Sequence, residues 1–103
     1  MTAANMAKTV TAGTTAAAFN ADTEFGGRHD AEALVITNRS ANEIAVNCAG
    51  GTAAIDGDDC LHIPAGASRP VPYPVGGSLS YIASAAASKA EIAAIGRTAG
   101  FMR

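Results

Sequence analysis

The amino-acid sequence predicts an all-β domain: a small antiparallel β-sandwich or jelly-roll-like barrel of about seven or eight short strands with extended terminal arms. Short runs of β-branched and other apolar residues alternate with polar residues, which is the period-two pattern of half-buried strands. Clusters of Gly, Pro, Asn and Asp interrupt these runs about every 8–12 residues. No helical pattern alternates with the runs, so a layered α/β fold is not indicated.

The apolar content is unusual because alanine supplies half of it. Of the 103 residues, 49% are hydrophobic, but 25 are Ala and only 18 are Leu, Ile, Val or Phe. Large side chains contribute most of the hydrophobic stabilisation of a core. A core with so few large side chains is typical of a thin sandwich that gains further burial from neighbouring subunits.

The charge pattern argues against nucleic-acid binding. The net charge is -2, the pI is about 5.5, and Lys and Arg form no run. No apolar stretch of about 20 residues is present, so we expect no membrane-spanning segment. Residues 1–8 lack a basic segment followed by an apolar run, so we expect no secretory signal.

The first part of the chain alternates between strand and turn signals. The run from Lys8 to Phe19 is rich in Thr and Val but is broken at Gly13, which predicts two short strands or one bent strand. Residues 20–30 are polar and contain a Gly-Gly pair, which predicts a loop.

The clearest pattern is a pair of apolar runs at residues 33–38 and 43–48. A hairpin that places Ile36 opposite Ile44 puts the apolar residues of both runs on one face, and a slip by one residue would destroy this match. The sequence therefore predicts a hairpin with a loop at residues 39–41.

The second half predicts further strands at residues 60–63, 67–71 and 78–83. The strand at 67–71 should lie at a sheet edge, because Pro70 and the adjoining Pro72 cannot donate to a ladder. Residues 83–95 are ambiguous: the Ala content favours a helix, and the alternation allows a strand. The predicted organisation is a flexible arm at 1–8, a sandwich domain at 9–96 and a tail at 97–103.

The common catalytic patterns are missing, which favours a protein without enzymatic activity, catalytic residues or cofactors. His62 alternates with apolar neighbours and should point outward from a strand, and His29 offers no spacing for a zinc site. The acidic turn at Asp56, Asp58 and Asp59 resembles a fragment of a calcium loop but lacks the later Glu. We therefore expect no metal site.

Two further features leave alternatives open. Cys48 and Cys60 fit free buried thiols, with a disulfide or metal ligation as the alternatives. Tyr73, between two prolines, fits a rigid edge turn, with a carbohydrate- or ligand-binding module as the alternative.

The chain resembles small accessory proteins of tailed bacteriophages. The resemblance covers residues 33–95 and is carried by the motifs Leu-Val-Ile-Thr-Asn-Arg-Ser-Ala-Asn-Glu-Ile-Ala-Val (34–46), Ile-Pro-Ala-Gly-Ala-Ser (63–68) and Ser-Leu-Ser-Tyr-Ile-Ala (78–83), with an opening strand at 9–16. It implies a β-sandwich and a final strand over 90–95. It also implies a virion structural role, often as a trimer.

On this resemblance the chain is expected to be a capsid decoration or cement protein that binds and stabilises the assembled shell. The alternative within the same class is a neck or tail component. The implied partners are the major capsid protein or other virion proteins and further copies of the chain, assembled in the host bacterial cytoplasm. The candidate interface residues, taken from the arms and the long loop, are Met6, Phe25, Phe101 and Met102.

Overall fold

The computed structural model describes residues 7–25 and 31–96, and over these residues the chain forms a sandwich of two four-stranded antiparallel sheets. The elements in chain order are β1 (Ala7–Ala12), β2 (Ala17–Asn20), helix α1 (Ala21–Glu24), β3 (Ala31–Asn38), β4 (Ile44–Asn47), β5 (Cys60–Ile63), β6 (Ser68–Pro72), a 3-10 turn (Val75–Gly77), β7 (Ser78–Ala83) and β8 (Ser88–Gly96). Sheet I has the order β1-β8-β3-β6, and sheet II has the order β2-β7-β4-β5. The predicted all-β sandwich is confirmed.

The core lies between the two sheets, where every other residue of each strand points inward. In β8, for example, Ala90 and Ile92 are buried, whereas Lys89 and Glu91 on the opposite face are more exposed. Strands of both sheets supply the largest fully buried apolar side chains: Leu34, Ile36, Ile44, Val46, Ile63, Leu79 and Ile92.

The segment from Lys8 to Phe19 forms two short strands, one of the two alternatives that the sequence left open. Strand β1 belongs to sheet I and β2 to sheet II, so the chain crosses between the layers at residues 13–16. At the crossing, the carbonyl of Gly13 accepts a hydrogen bond of 2.8 Å from the N–H of Ala83 at the end of β7. The glycine that interrupts the strand pattern therefore marks a change of sheet.

The predicted hairpin between residues 33–38 and 43–48 is wrong. Both segments are strands, but β3 pairs with β8 and β6 in sheet I, while β4 pairs with β5 and β7 in sheet II. Ile36 lies opposite Ile92 rather than Ile44. Alternation only requires that each strand turn its apolar side toward a core, and two strands facing each other across a sandwich meet this requirement as well as a hairpin does.

The connection between β3 and β4 is an arch held by the buried side chain of Asn38, which is 0% exposed. Its Nδ2 donates to the carbonyls of Asn42 at 2.7 Å and Ile63 at 2.9 Å. Its Oδ1 accepts from the N–H of Ser40 at 2.9 Å and from the Ser40 hydroxyl at 2.7 Å. One side chain thus satisfies the polar groups where the chain turns from one sheet to the other.

The loop predicted at residues 20–30 is wrong over its first part, which contains the single turn of helix α1. Asn20 is its N-cap, and its side-chain oxygen accepts a hydrogen bond of 2.9 Å from the N–H of Thr23. One helical turn is too short to produce a periodic sequence pattern. Residues 26–30 lie outside the described residues.

The later strands follow the sequence more closely. The strands predicted at 60–63, 67–71 and 78–83 are confirmed within a residue, and β6 lies at the edge of sheet I as its prolines require. The ambiguous segment 83–95 includes all but the last residue of β8, which is a strand bonded to β1 on one side and to β3 on the other. Pairing with two long-range partners outweighs the intrinsic helix propensity of its alanines.

The boundaries of the sandwich differ slightly from those predicted. Strand β1 begins at Ala7, ahead of the domain start predicted at Thr9, and β8 ends at Gly96, where the predicted domain ends. The remainder of the predicted arm, residues 1–6, and the tail at 97–103 lie outside the described residues.

Two neighbouring glycines in the turn before β7 provide a first test of the fold. Both have a left-handed backbone, with φ of +73° at Gly76 and +83° at Gly77. A Cβ at Gly76 would meet open space, whereas one at Gly77 would clash with the carboxylate of Asp22. We expect Gly77→Ala to lower the free energy of unfolding by about 2–3 kcal/mol and Gly76→Ala by about 1 kcal/mol, measured by urea denaturation. Equal losses would contradict this packing of the turn against α1.

Candidate protein-contact surface

The outer face of sheet I has an apolar half, which is the candidate contact surface. The strand register aligns its residues in two adjacent rows, because side chains opposite each other in neighbouring strands share a face. One row runs Ala7, Ala93, Val35 and Pro70, and the next runs Ile95, Ala33 and Pro72. These residues are half-buried or exposed, and they are called the apolar face below.

The remainder of the same sheet surface is polar. Thr37 and Ser68 share a hydrogen bond of 2.7 Å, and Lys89 Nζ donates to the hydroxyl of Thr11 at 3.0 Å. Glu91 lies in the row of Thr37 and Ser68. The apolar face itself therefore carries no charged residue, and Glu91 lies in the row that borders it.

The apolar face includes a large hydrophobic side chain that is open to solvent. Ile95 is 42% exposed, and among the described residues it shares this property with Val75, which is 66% exposed. The small Ala and Pro side chains around Ile95 leave a flat surface. Flat apolar surfaces rimmed by polar residues are typical of protein–protein contacts.

The edge of sheet I beside this face is poorly suited to adding another strand. The edge strand β6 contains Pro70 and Pro72, which have no N–H to donate. A partner at this side of the sheet would therefore contact the face rather than extend the ladder.

The outer face of sheet II is covered in part by the chain's own loop. Residues 49–53 fold back over it: the N–H groups of Ala49 and Gly51 donate to Asn47 Oδ1 at 2.8 and 3.2 Å, and the N–H of Ala53 donates to the Ser80 hydroxyl at 2.9 Å. Ala53 is 3% exposed as a result. Sheet I therefore presents the more open apolar surface of the two.

One of the predicted interface residues has a different role. Phe25 is only 6% exposed, and its ring lies 5.6 Å from the ring of Phe19 with their planes tilted by 59°. Helix α1 turns Phe25 toward the core, so its prediction as an exposed anchor is corrected: it is a core residue. Met6, Phe101 and Met102 lie outside the described residues.

Tyr73, the candidate ligand contact, lines an open groove of about 400 Å³ between β5 and the end of β6. Its hydroxyl donates to Asp22 Oδ1 at 2.5 Å. Burial, together with the adjacent Asp22 carboxylate, raises the pKa of Tyr73 to about 12. The phenol is therefore held neutral and fixed against α1. The groove lining is Cys48, Ala49, Asp59, Cys60, Leu61, Pro72, Tyr73 and Val75.

The two cysteines in this groove are free thiols, so of the alternatives left open by the sequence the disulfide is not formed. Cys48 is buried, and burial raises the pKa of its thiol. A thiol with a raised pKa forms little thiolate and is a poor nucleophile at neutral pH. The Cys48 side chain therefore has the character of a core residue.

His62 points outward from β5, as predicted, and lies beside two carboxylates. Its Nε2 is 3.4 Å from Glu43 Oε2 and 3.7 Å from Asp56 Oδ1, and it accepts a hydrogen bond of 3.1 Å from the N–H of Asp56. The sequence did not indicate this cluster, because Glu43 and His62 approach only through the pairing of β4 with β5.

Along residues 7–25 and 31–96, no helix has the length and apolar character needed to cross a membrane.

No protein-family model, no curated protein and no solved structure matches the chain, and its resemblance to phage accessory proteins stays a prediction from the sequence.

Proposed function

We propose that the protein is a non-enzymatic structural protein that binds neighbouring protein subunits through the apolar face of sheet I. The observation that carries this proposal is the exposure of Ile95 at one end of an apolar surface without charged residues. Removing such a surface from water contributes about 25 cal/mol per Å² of apolar area. No charged group of the face would have to be desolvated, so little of this gain would be lost.

The resemblance to phage accessory proteins favours one form of this function, a decoration or cement protein of the virion. The low content of large apolar side chains also supports it, because a thin sandwich gains stability when a neighbour covers one of its faces. Repetition of a weak contact over a symmetric shell would give tight overall attachment. The partners are the shell subunits and further copies of this chain, with a trimer favoured.

A charge placed on the apolar face tests this function. We expect Ile95→Lys to weaken binding to expanded, undecorated shells by at least tenfold in co-sedimentation, because the ammonium group would have to be desolvated in the contact. The matched control is Thr9→Lys, which adds the same charge to the polar half of the same sheet surface and should bind within about twofold of the unmodified protein. Equal weakening by both variants, or no shell binding by the unmodified protein, would refute the proposal.

A neck or tail component would use the same kind of contact at a different place in the particle. The number of copies separates the two forms: decoration predicts a number comparable to that of the shell subunits, and a connector predicts a single ring. Quantitative mass spectrometry of purified particles measures this number directly.

The groove beside Tyr73 supports a second candidate function, binding of a carbohydrate or another small ligand. Its lining combines apolar side chains with an aromatic ring fixed by Asp22. A glycan-array signal that is lost in Tyr73→Ala and kept in Tyr81→Phe would favour this function, and the absence of any signal would remove it.

A further inference from the structure

We propose that Glu43, Asp56 and His62 form a binding site for a divalent first-row transition-metal ion of the Zn²⁺ type. One ligand atom from each residue lies within 4.8 Å of the other two. This site is separate from the apolar face of sheet I, because Glu43 precedes β4, His62 lies in β5 and Asp56 lies in the loop between these two strands of sheet II.

The fold brings the three side chains together from distant parts of the sequence. Glu43 directly precedes β4, and in the neighbouring strand β5 His62 pairs with Ala45, so both side chains lie on the outer face of sheet II. The backbone of Glu43 is fixed, since its N–H bonds the Ser84 hydroxyl at 3.1 Å and its carbonyl accepts from the N–H of Ser84 at 2.9 Å. Asp56 reaches the pair from the loop that folds back toward this face.

The spacing of the ligand atoms fits a single small ion. His62 Nε2 lies 3.4 Å from Glu43 Oε2 and 3.7 Å from Asp56 Oδ1. Ligand atoms bound to one tetrahedral Zn²⁺ at about 2.0–2.1 Å are about 3.3 Å from one another. Both distances from His62 Nε2 therefore lie within a few tenths of an ångström of this spacing, and the two carboxylate oxygens lie within 4.8 Å of each other. The exposed fractions of 43% for Glu43 and 88% for Asp56 leave the carboxylates room to close on an ion.

The imidazole atom that faces both carboxylates is Nε2, which accepts a hydrogen bond of 3.1 Å from the N–H of Asp56. An imidazole ligates a metal through a ring nitrogen that carries a free lone pair. A metal ion would replace this N–H at Nε2, so binding should change the environment of the Asp56 amide. The carboxylates supply two negative charges that balance a divalent cation.

The donor set selects the class of metal. One imidazole nitrogen with two carboxylate oxygens suits Zn²⁺, Co²⁺ or Mn²⁺, whereas Ca²⁺ and Mg²⁺ prefer oxygen ligands alone. Three protein ligands leave a fourth position for water. A bound ion would also fasten the loop to sheet II and add stability in proportion to its occupancy.

The test is a calorimetric titration of the full chain with ZnCl₂, carried out in a Cys60→Ser background so that this partly exposed thiol does not contribute. We expect saturable binding of one ion and a rise in melting temperature. His62→Gln and Glu43→Gln should each weaken binding at least tenfold, and Mg²⁺ should not compete. The matched control is Asp58→Asn, which removes a neighbouring exposed acid and should leave the affinity within about twofold.

Amide NMR spectra of the unmodified protein test the same site without a substitution, so the test remains informative if a variant folds poorly. In the unmodified protein, the resonances of Asp56 and His62 should shift on addition of Zn²⁺ in proportion to occupancy. Binding that survives both substitutions, shifts that fall on other residues, or no saturable binding at all would each overturn the assignment. None of these measurements involves shell binding, so a failure of the metal-site proposal can be distinguished from a failure of the proposed function.

Discussion

Asn38→Asp is expected to lower the free energy of unfolding by about 3 kcal/mol or more in urea denaturation. The substitution keeps the shape of the side chain but removes both N–H donors, so the carbonyls of Asn42 and Ile63 lose the hydrogen bonds that Asn38 donates. Leaving a buried polar group without its hydrogen bond costs about 1–3 kcal/mol. Ionisation of the new carboxyl at a fully buried position adds a further cost.

The matched control for this prediction is Asn20→Asp. Asn20 is exposed and caps helix α1 through its side-chain oxygen, a role that Asp performs equally well. We therefore expect a change within about 0.5 kcal/mol. If both substitutions had the same small effect, Asn38 would not hold the arch between the sheets.

Ile92→Ala is expected to lower the free energy of unfolding by about 2–5 kcal/mol, the range observed when a large buried side chain is truncated. Ile92 is 1% exposed and lies in β8, one of the two central strands of sheet I, opposite Lys8 of β1 and Ile36 of β3. Few large side chains fill this core, so few neighbouring side chains could move into the cavity that the substitution leaves.

The comparison with Ile95→Ala makes this a test of secondary structure as well as of packing. In strand β8 the two isoleucines point to opposite faces, and Ile95 is 42% exposed. We expect Ile95→Ala to cost less than about 1 kcal/mol in the isolated protein. On a helix, residues three apart share a face, so similar losses for both substitutions would contradict the strand and restore the helical alternative for residues 83–95.

The sequence predicted the elements of this fold better than their partners. The edge position of β6 was predictable because prolines restrict hydrogen bonding in a local and specific way. The partner of β3 was not, because the alternation of Leu34 and Ile36 defines an inward side without defining which strand lies beside it. Asn38 holds the change of sheet, but its role could not be predicted, because it depends on a contact with Ile63, far along the chain.

The candidate contact surface was partly visible in the sequence. In the run Ala33 to Ile36, apolar side chains occupy both faces of the strand, which is unusual for a sheet with one solvated face. The alternation of β8 likewise changes from Lys89 and Glu91 to apolar residues on its outward side. That these stretches lie next to each other follows from the antiparallel pairing of β3 with β8, a long-range contact that no local pattern specifies.

The cluster of Glu43, Asp56 and His62 could not be predicted from the sequence for a related reason. Its residues share no recognisable spacing, and His62 meets Glu43 only after β4 and β5 pair. The acidic turn drew attention to Asp56, Asp58 and Asp59 as a group, yet the structure associates only Asp56 of these with the histidine. A motif search detects ligands that are close in sequence, and this site depends on ligands that are close in space.

Hydroxyl-radical footprinting of the protein alone and bound to undecorated shells tests the apolar face most directly. The two exposed large hydrophobic residues of the described chain, Ile95 and Val75, serve as reporter and internal control. If the apolar face of sheet I is the contact surface, oxidation of Ile95 will fall several-fold on binding while oxidation of Val75 stays unchanged. Protection of Val75 with continued oxidation of Ile95 would contradict the account.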